Sequence, residues 1–328
     1  MLNNSADFAA IYEGAALGAV ASSAAIALTG RDRATYLQGL LTNDIVALGA
    51  GTGCYAAWLT PQGRMLTDLH VLESGDMLLL DVPADQHAAT MTRLDRFLFS
   101  EDVRIASLSE ALTTVWIHGP NAAALLERTS GLEVLSTWPS YRNARATVAG
   151  HPVVIARIDQ LGVPGFVLHV GLEQVAAVAE ALESAGAVRV SRDALESARI
   201  DAGYPLFGVD MSDDTIPLEA GLESRAISRE KGCYVGQEVI VRVLDRGHGR
   251  VVRRLVVMTL EGVVPAAGSK VFSGEREVGW VTSAARSRQG PPIALGYVHR
   301  DVATAGAQVT VVTDGAREDA FVRDVVGT

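Results

Sequence analysis

The chain has 328 residues, 48% of them hydrophobic and 20% charged, with a formal net charge of −10. That length exceeds one typical hydrophobic core and predicts two or three domains, and the composition is that of a soluble globular protein. The acidic balance excludes a nonspecific nucleic-acid coat, which needs a basic surface.

In chain order, residues 7–17 predict a short helix and 24–28 a strand ending at Gly30. Asp32 is placed to cap a helix running to Leu41, closed by Thr42, Asn43 and Asp44. Gly49, Gly51 and Gly53 resemble a dinucleotide loop only superficially, because a strand over 54–59 follows them where a helix would be needed. Pro61, Gln62 and Gly63 turn that strand into a second one over 64–72, a hairpin. A strand over 77–82 precedes an amphipathic helix over 84–99, with Met91, Leu94 and Leu98 on one face. The pattern then recurs: strand 115–118, a helix from Gly119-Pro120 to about Arg128, strands near 144–148, 153–158 and 166–170, and a helix over 172–184. Strand–helix units joined by antiparallel hairpins predict α+β subdomains, not a doubly wound sheet. A helix over 192–202 leads into the irregular stretch 203–230, which is too apolar for disorder and has the length of a functional loop. After Arg254, six short strands at even spacing (255–260, 270–272, 278–284, 293–299, 308–312 and 320–324) predict a small β-barrel or sandwich.

The two cysteines, Cys54 and Cys233, form no disulfide framework, predict a reducing compartment, and fall short of the four thiolates that hold an iron–sulfur cluster within one chain. The seven histidines have no zinc-ligand spacing, so no metal site is expected. Residues 15–29 are apolar and small, but Asp7 and Glu13 precede them where a signal peptide carries Lys or Arg, and the run is too short to span a bilayer. A cytoplasmic protein without an anchor is expected.

The most unusual run is KGCYVGQE at 231–238. A thiol beside a fixed positive charge ionises more readily, and the thiolate is the reactive, metal-binding form. Gly232 and Gly236 let the backbone bend or approach a ligand. Of the 28 basic residues only Lys231 and Lys270 are lysines, so a compact ammonium, not a planar fork, is expected at 231. A turn with Cys233 as a small hydrophobe fits the local residues equally well, and Cys54, in a strand with Tyr55 and Trp58, reads as packing.

This run, together with RIDAGYPLFGVD (199–210), PLE (217–219), GRD (30–32), LQGLLTND (37–44), PQGRMLTD (61–68) and GWVTS (279–283), resembles the YgfZ-type folate-binding proteins, relatives of the aminomethyltransferase (T-protein) of the glycine cleavage system. The resemblance spans nearly the whole chain, and the cysteine run belongs to the YgfZ branch. It implies an α+β cloverleaf: two interleaved α/β subdomains over residues 1–250 and a six-stranded C-terminal β-barrel over 251–328, around a central hole that holds tetrahydrofolate or a one-carbon derivative. It further implies an accessory role in iron–sulfur cluster assembly or repair, supporting enzymes that include tRNA-modifying ones. The partners would be folate and client or cluster-assembly proteins, with no direct contact to nucleic acid or membrane. A folate-dependent aminomethyl or methyl transferase, and a scaffold with a vestigial hole that docks a client, are the alternatives.

The resemblance also assigns residues. Cys233, Lys231 and Asp68 carry the chemistry, and the thiolate would accept a cluster ligand, resolve an oxidised species or attack a one-carbon adduct. Arg199 stands where T-proteins contact the folate, and a guanidinium suits a carboxylate or pterin carbonyl. Asp68 lies where T-proteins have two adjacent acids; here the pair is Thr67-Asp68, and because neighbouring strand residues face opposite ways, the register decides whether Asp68 lines the hole. Glu219 is a candidate for the lining. Arg242 and Arg246, with His248, Arg250, Arg253 and Arg254, form a basic strip suited to the folate glutamyl tail or an acidic partner, or else one solvated face. Asp210 reads as capping the turn after Gly208. Where T-proteins carry two glutamates, one of which binds the pterin, this chain has Val163 and Val167, although Arg157, Gly162, Gly165 and Phe166 are kept. Valine cannot pair with the pterin's donors, so folate would sit differently or more weakly, against a role in glycine cleavage.

Overall fold

The computed structural model describes residues 5–246 and 250–328; His248 and the side chain of Arg246, both in the expected basic strip, lie outside the described residues. The first part holds α1 (Ser5–Glu13), β1 (Ala16–Leu17), β2 (Ser23–Thr29), α2 (Arg33–Gln38), β3 (Thr52–Leu59), β4 (Met65–Glu73), β5 (Leu78–Pro83), α3 (His87–Arg96) and β6 (Arg104–Ser107). Then come β7 (Leu112–His118), α4 (Ala122–Ser130), β8 (Asn143–Val148), β9 (His151–Arg157), β10 (Gly165–Gly171), α5 (Val175–Ser184) and β11 (Val188–Arg189). α6 (Arg192–Asp201), α7 (Glu223–Ala226) and α8 (Gln237–Val241) lead to β12 (Arg253–Leu260), β13 (Lys270–Ser273), β14 (Arg276–Arg286), β15 (Pro292–His299), β16 (Gln308–Thr313) and β17 (Ala316–Val325).

The strands form a five-stranded sheet ordered β3-β4-β5-β2-β6, a six-stranded sheet ordered β11-β1-β7-β10-β9-β8, and a closed barrel β12-β15-β14-β13-β16-β17. This is an α+β architecture of two α/β subdomains and a C-terminal six-stranded antiparallel barrel, as the sequence led us to expect. The subdomains interleave because β1, from the N-terminus, pairs antiparallel with β7 and parallel with β11 in the second sheet. The helix expected over 7–17 therefore stops at Glu13, and the chain crosses over as a strand.

Each sheet buries an outer face under helices. Ile26, Trp58, Leu69 and Leu80 pack with Leu37 of α2 and Leu94 of α3, while Ile117, Ile155 and Leu168 pack with Leu126 of α4 and Leu182 of α5. The inner faces meet each other through Ala25, Leu72 and Leu79 on one side and Trp116, Ala156, Ile158 and Val167 on the other. Burial on both faces explains why β5 and β10, Asp81 and His169 apart, are apolar along both faces instead of alternating. The barrel docks through Leu255, Val257, Leu295 and Tyr297 onto Ile200 of α6. Among the described residues no helix is long and apolar enough to cross a membrane.

Candidate functional site

The β3–β4 hairpin sets the site. Its register pairs Tyr55 with His70, Ala57 with Asp68 and Trp58 with Thr67. Cys54, Ala56 and Trp58 belong to the outer core, so the period of two turns Tyr55, Ala57, Asp68 and His70 to the inner side and Thr67 away from it. Asp68 thus lines a central cavity. β5 adds Asp81, the cross-strand partner of His70, and the second sheet adds Trp116 of β7. The segment after α6 closes the cavity with Tyr204, Leu206, Phe207 and Val209. Its volume is about 100 Å³, room for one end of a ligand, so a larger molecule would extend past the exposed Val209.

The largely apolar wall carries a cluster of densely buried polar groups. Tyr55 Oη donates to Asp68 Oδ2 at 2.5 Å. Burial raises the Asp68 pKa above the usual carboxylate range, although the Tyr55 hydrogen bond, His70 and Arg225 pull the other way. The Arg225 guanidinium lies 4.4 Å from the Tyr204 ring centre and 5.3 Å from that of Tyr55, and its Nη2 has no hydrogen-bond partner. His70 Nδ1 is 3.6 Å from Asp81 Oδ2, and His70 Nε2 is 3.5 Å from Tyr204 Oη. Burial works to raise the Asp81 pKa, but the His70 hydrogen bond and the nearby His169 outweigh it and hold the carboxyl below its ordinary value. His169, on β10, is pushed down by burial and keeps both ring nitrogens unpartnered.

Arg199 does not line this cavity. It is fully buried, and all five of its N–H donors are engaged: Nε and Nη2 on Glu196, Nη1 on Tyr204 O and Asp210 Oδ2 (2.6 Å each), and Nη2 also on Ser283 Oγ at 3.0 Å. Thr282 and Ser283 of the barrel donate to Asp210 Oδ1, and Leu206 N–H donates to Asp210 Oδ2. Arg199, Asp210 and the GWVTS run therefore form one buckle that fastens α6, the loop carrying Tyr204 and the barrel together. Arg199 was expected to contact folate; with every N–H donor taken within the chain, its guanidinium has none left for a ligand and fits a positioning role. Asp210, expected to cap a turn, is the buried counter-charge.

Glu219 is also tied elsewhere, accepting from Arg253 Nε at 3.1 Å while its carbonyl takes the Leu255 N–H, so it joins the long loop to β12. Lys231 Nζ donates to the carbonyls of Gln38, Leu41 and Asn43 at 2.6, 2.6 and 2.9 Å. Its three donors satisfy orphan carbonyls past the end of α2, and none is left to bond the Cys233 thiol. Burial pushes its pKa down to about 8. Cys233 is exposed. Its loop is pinned by Val235 N–H on Gly39 O and by Gly236, whose φ is +86° and where a Cβ would fall 2.5 Å from Thr60 O. That contact is at the hairpin tip, three residues or roughly 10 Å of strand from the Ala57–Asp68 pair. Arg242 is exposed on the turn after α8. Of the sequence candidates with described side chains, only Asp68 is on the cavity wall.

Sequence reasoning missed Tyr55, His70, Asp81, Trp116, Tyr204 and Arg225. Polar residues spaced by two within otherwise apolar strands, Asp68 and His70 in β4 and Asp81 in β5, were the available signal, since such positions share a face. Arg225, in a four-residue helix within the long loop, had no sequence signal.

Comparison with known proteins bears on the fold and the family. Residues 3–231 match the GCVT N-terminal domain, and residues 253–325 match the glycine cleavage T-protein C-terminal barrel domain. The cysteine run begins at the last residue of the first match. The aminomethyltransferase of Geobacillus kaustophilus is 29% identical over 298 residues, covering 89% of this chain and 81% of the relative. That of Thermus thermophilus is 32% identical over 273 residues, covering 82% and 75%. The crystal structure of glycine cleavage system aminomethyltransferase T from Bartonella henselae shares the fold, with a TM-score of 0.83 at 24% identity, over 94% of this chain and 85% of that one. By sequence across both domains, and by a fold with the same closed barrel, this chain belongs to the glycine cleavage T-protein family.

Proposed function

We propose that the central cavity holds the ring end of tetrahydrofolate or a one-carbon derivative, and that the protein carries out T-protein-like aminomethyl or methyl transfer with Asp68 as its acid–base group. The observation that carries this reading is the Asp68 carboxyl, buried in the cavity, held by Tyr55 Oη and raised in pKa by its burial. A carboxyl positioned in this way can exchange a proton with a ring nitrogen or an amine, a contribution worth about 10²–10⁴-fold in rate. The printed names of the relatives point the same way. Purified protein should bind tetrahydrofolate saturably and turn over an amine donor. Asp68→Asn should lose about 10²–10⁴-fold in turnover while keeping affinity within a few-fold. No saturable binding at millimolar ligand would instead favour the client-docking scaffold.

A second reading is favoured by the exposure of Cys233, in a loop pinned to the hairpin tip and not part of the cavity wall. This thiol is accessible to a partner protein, as an accessory role in iron–sulfur cluster assembly or repair for tRNA-modifying and other enzymes requires, with folate as the bound cofactor. Cys233→Ser expressed in cells lacking the protein should then fail to restore iron–sulfur enzyme activity, and full restoration removes the thiol from the mechanism.

A further inference from the structure

The cavity wall holds polar atoms left short of partners. Trp116 Nε1 is buried without a hydrogen-bond partner, and Asp81 Oδ1 and Ser23 Oγ make no bond of good geometry, although the Ser23 hydroxyl is near enough to help hold the Asp81 carboxyl below its ordinary pKa; all three residues line the cavity. Asp81 is 3% and Trp116 4% exposed, so solvent does not satisfy them freely. A buried carboxylate oxygen left bare is costly, and such atoms are retained where a ligand or ordered water completes them. Asp81 Oδ2 faces His70 Nδ1, which leaves Oδ1 as an acceptor and Trp116 Nε1 as a donor.

Ser23 and Asp81 belong to the first sheet and Trp116 to the second, and all three line the same cavity. Trp116 pairs across β7 and β10 with Val167. Val167 is fully buried in the apolar layer between the sheets, with Ala25, the cross-strand neighbour of Asp81. The second sheet therefore offers an indole N–H and no carboxylate, while the first sheet offers a carboxylate from β5.

We propose that Asp81 and Trp116 together read the 2-amino-4-oxopyrimidine edge of the bound ring, with the Asp81 carboxylate on the ring N–H and amino donors and the Trp116 N–H on the oxo acceptor. This inference rests on the folate reading and adds the residues that would select the ring.

The test titrates the full-length purified protein with tetrahydrofolate and with its 2-desamino-2-methyl analogue. The wild type should prefer the amino compound by about 10- to 100-fold, the worth of a hydrogen bond to a charged group. Asp81→Asn should weaken tetrahydrofolate by that factor and erase the preference, with its near-ultraviolet circular dichroism unchanged. Trp116→Phe should weaken both compounds alike, by about 2- to 10-fold. A preference that survives Asp81→Asn, or equal losses for both compounds, overturns the assignment while leaving folate binding intact. A wild type that binds neither compound removes the folate reading itself. Should Asp81→Asn not fold, Trp116→Phe decides, and unchanged tetrahydrofolate affinity overturns the assignment.

Discussion

The loop after α6 joins two buried polar regions built in opposite ways. Around Arg199 every guanidinium N–H has an acceptor, and Asp210 collects donors from Arg199, Leu206, Thr282 and Ser283. In and around the cavity, Trp116 Nε1, Arg225 Nη2 and both nitrogens of His169 have no partner. Each such orphan costs about 1–3 kcal/mol, so the chain tolerates in one place what it avoids a few residues away. A saturated network has no capacity to recognise anything and serves to fix geometry; an unsaturated one is complete only with a visitor. Arg199 belongs to the first kind and holds the Tyr204 carbonyl in place beside the second.

The largest effect that probes this contrast is on the saturated side. Arg199→Met should cost about 3–5 kcal/mol of stability in urea unfolding, because it strands the Asp210 carboxylate, which is fully buried beside it. Replacing both partners, Arg199→Met with Asp210→Leu, should recover at least half of that loss, since no charge is then left bare. If Arg199→Met instead weakens folate binding and leaves the unfolding midpoint alone, the arginine is a ligand contact and the contrast fails.

The sequence carried the fold well and the site unevenly, for physical reasons. The barrel was legible because alternating Val256, Met258 and Leu260, repeated strand by strand between Gly and Pro turns, encodes one buried face. The edge strands β6 and β11 were not, because they are mostly exposed and carry no pattern. Asp68 was identified from a resemblance, but its direction depended on register, and only the Ala57–Asp68 pairing settles that it faces inward. Lys231 looked like an activator of the adjacent thiol; a four-carbon stem reaches past its neighbour, and the carbonyls at the end of α2, remote in sequence, were the better acceptors. Asp81 showed only as one polar residue in an apolar strand, since its partners His70 and Ala25 come from strands that only the folded sheet brings beside it.

On the unsatisfied side, the cost of bare polar groups should be readable as acid sensitivity. His118 stacks on Trp116 with ring centres 5.8 Å apart, approaches Gly18 O through Nε2 at 3.1 Å, and has no partner at Nδ1. Burial pushes its pKa down to about 4 from 6.5, against the smaller pull of Gly18 and Asp159. Between those values the unfolded chain holds more protons than the folded one, so stability falls as pH drops from 6.5 to 4, by about 3 kcal/mol from this residue. Asp68, whose pKa is raised, acts in the opposite direction, so the comparison must be made within a pair of proteins. His118→Phe should lose a constant amount from the Gly18 contact yet show an acid limb flatter by about 3 kcal/mol in unfolding measured from pH 7 to pH 4. Parallel curves for the two proteins would mean that His118 is hydrated in solution and that the inter-sheet layer is wetter than its packing indicates.

The smallest expected effect is the most discriminating for function. Cys233 is exposed, and the turn around it is held by Lys231, Val235 and Gly236, not by its own side chain. Cys233→Ser should therefore change stability by less than about 0.5 kcal/mol and leave tetrahydrofolate affinity within two-fold of wild type, roughly the scatter of a surface substitution. Lys231→Met, in contrast, strips an ammonium from three carbonyls and should destabilise the protein measurably, although the two residues are nearly adjacent in the chain. If Cys233→Ser alters folate affinity strongly, the thiol reaches the cavity by a route the packed hairpin does not provide, and the two sites are one. If it alters neither stability nor affinity yet abolishes activity in cells, the thiol acts on something brought to the surface from outside, and the cavity and the cysteine are separate working parts of one molecule.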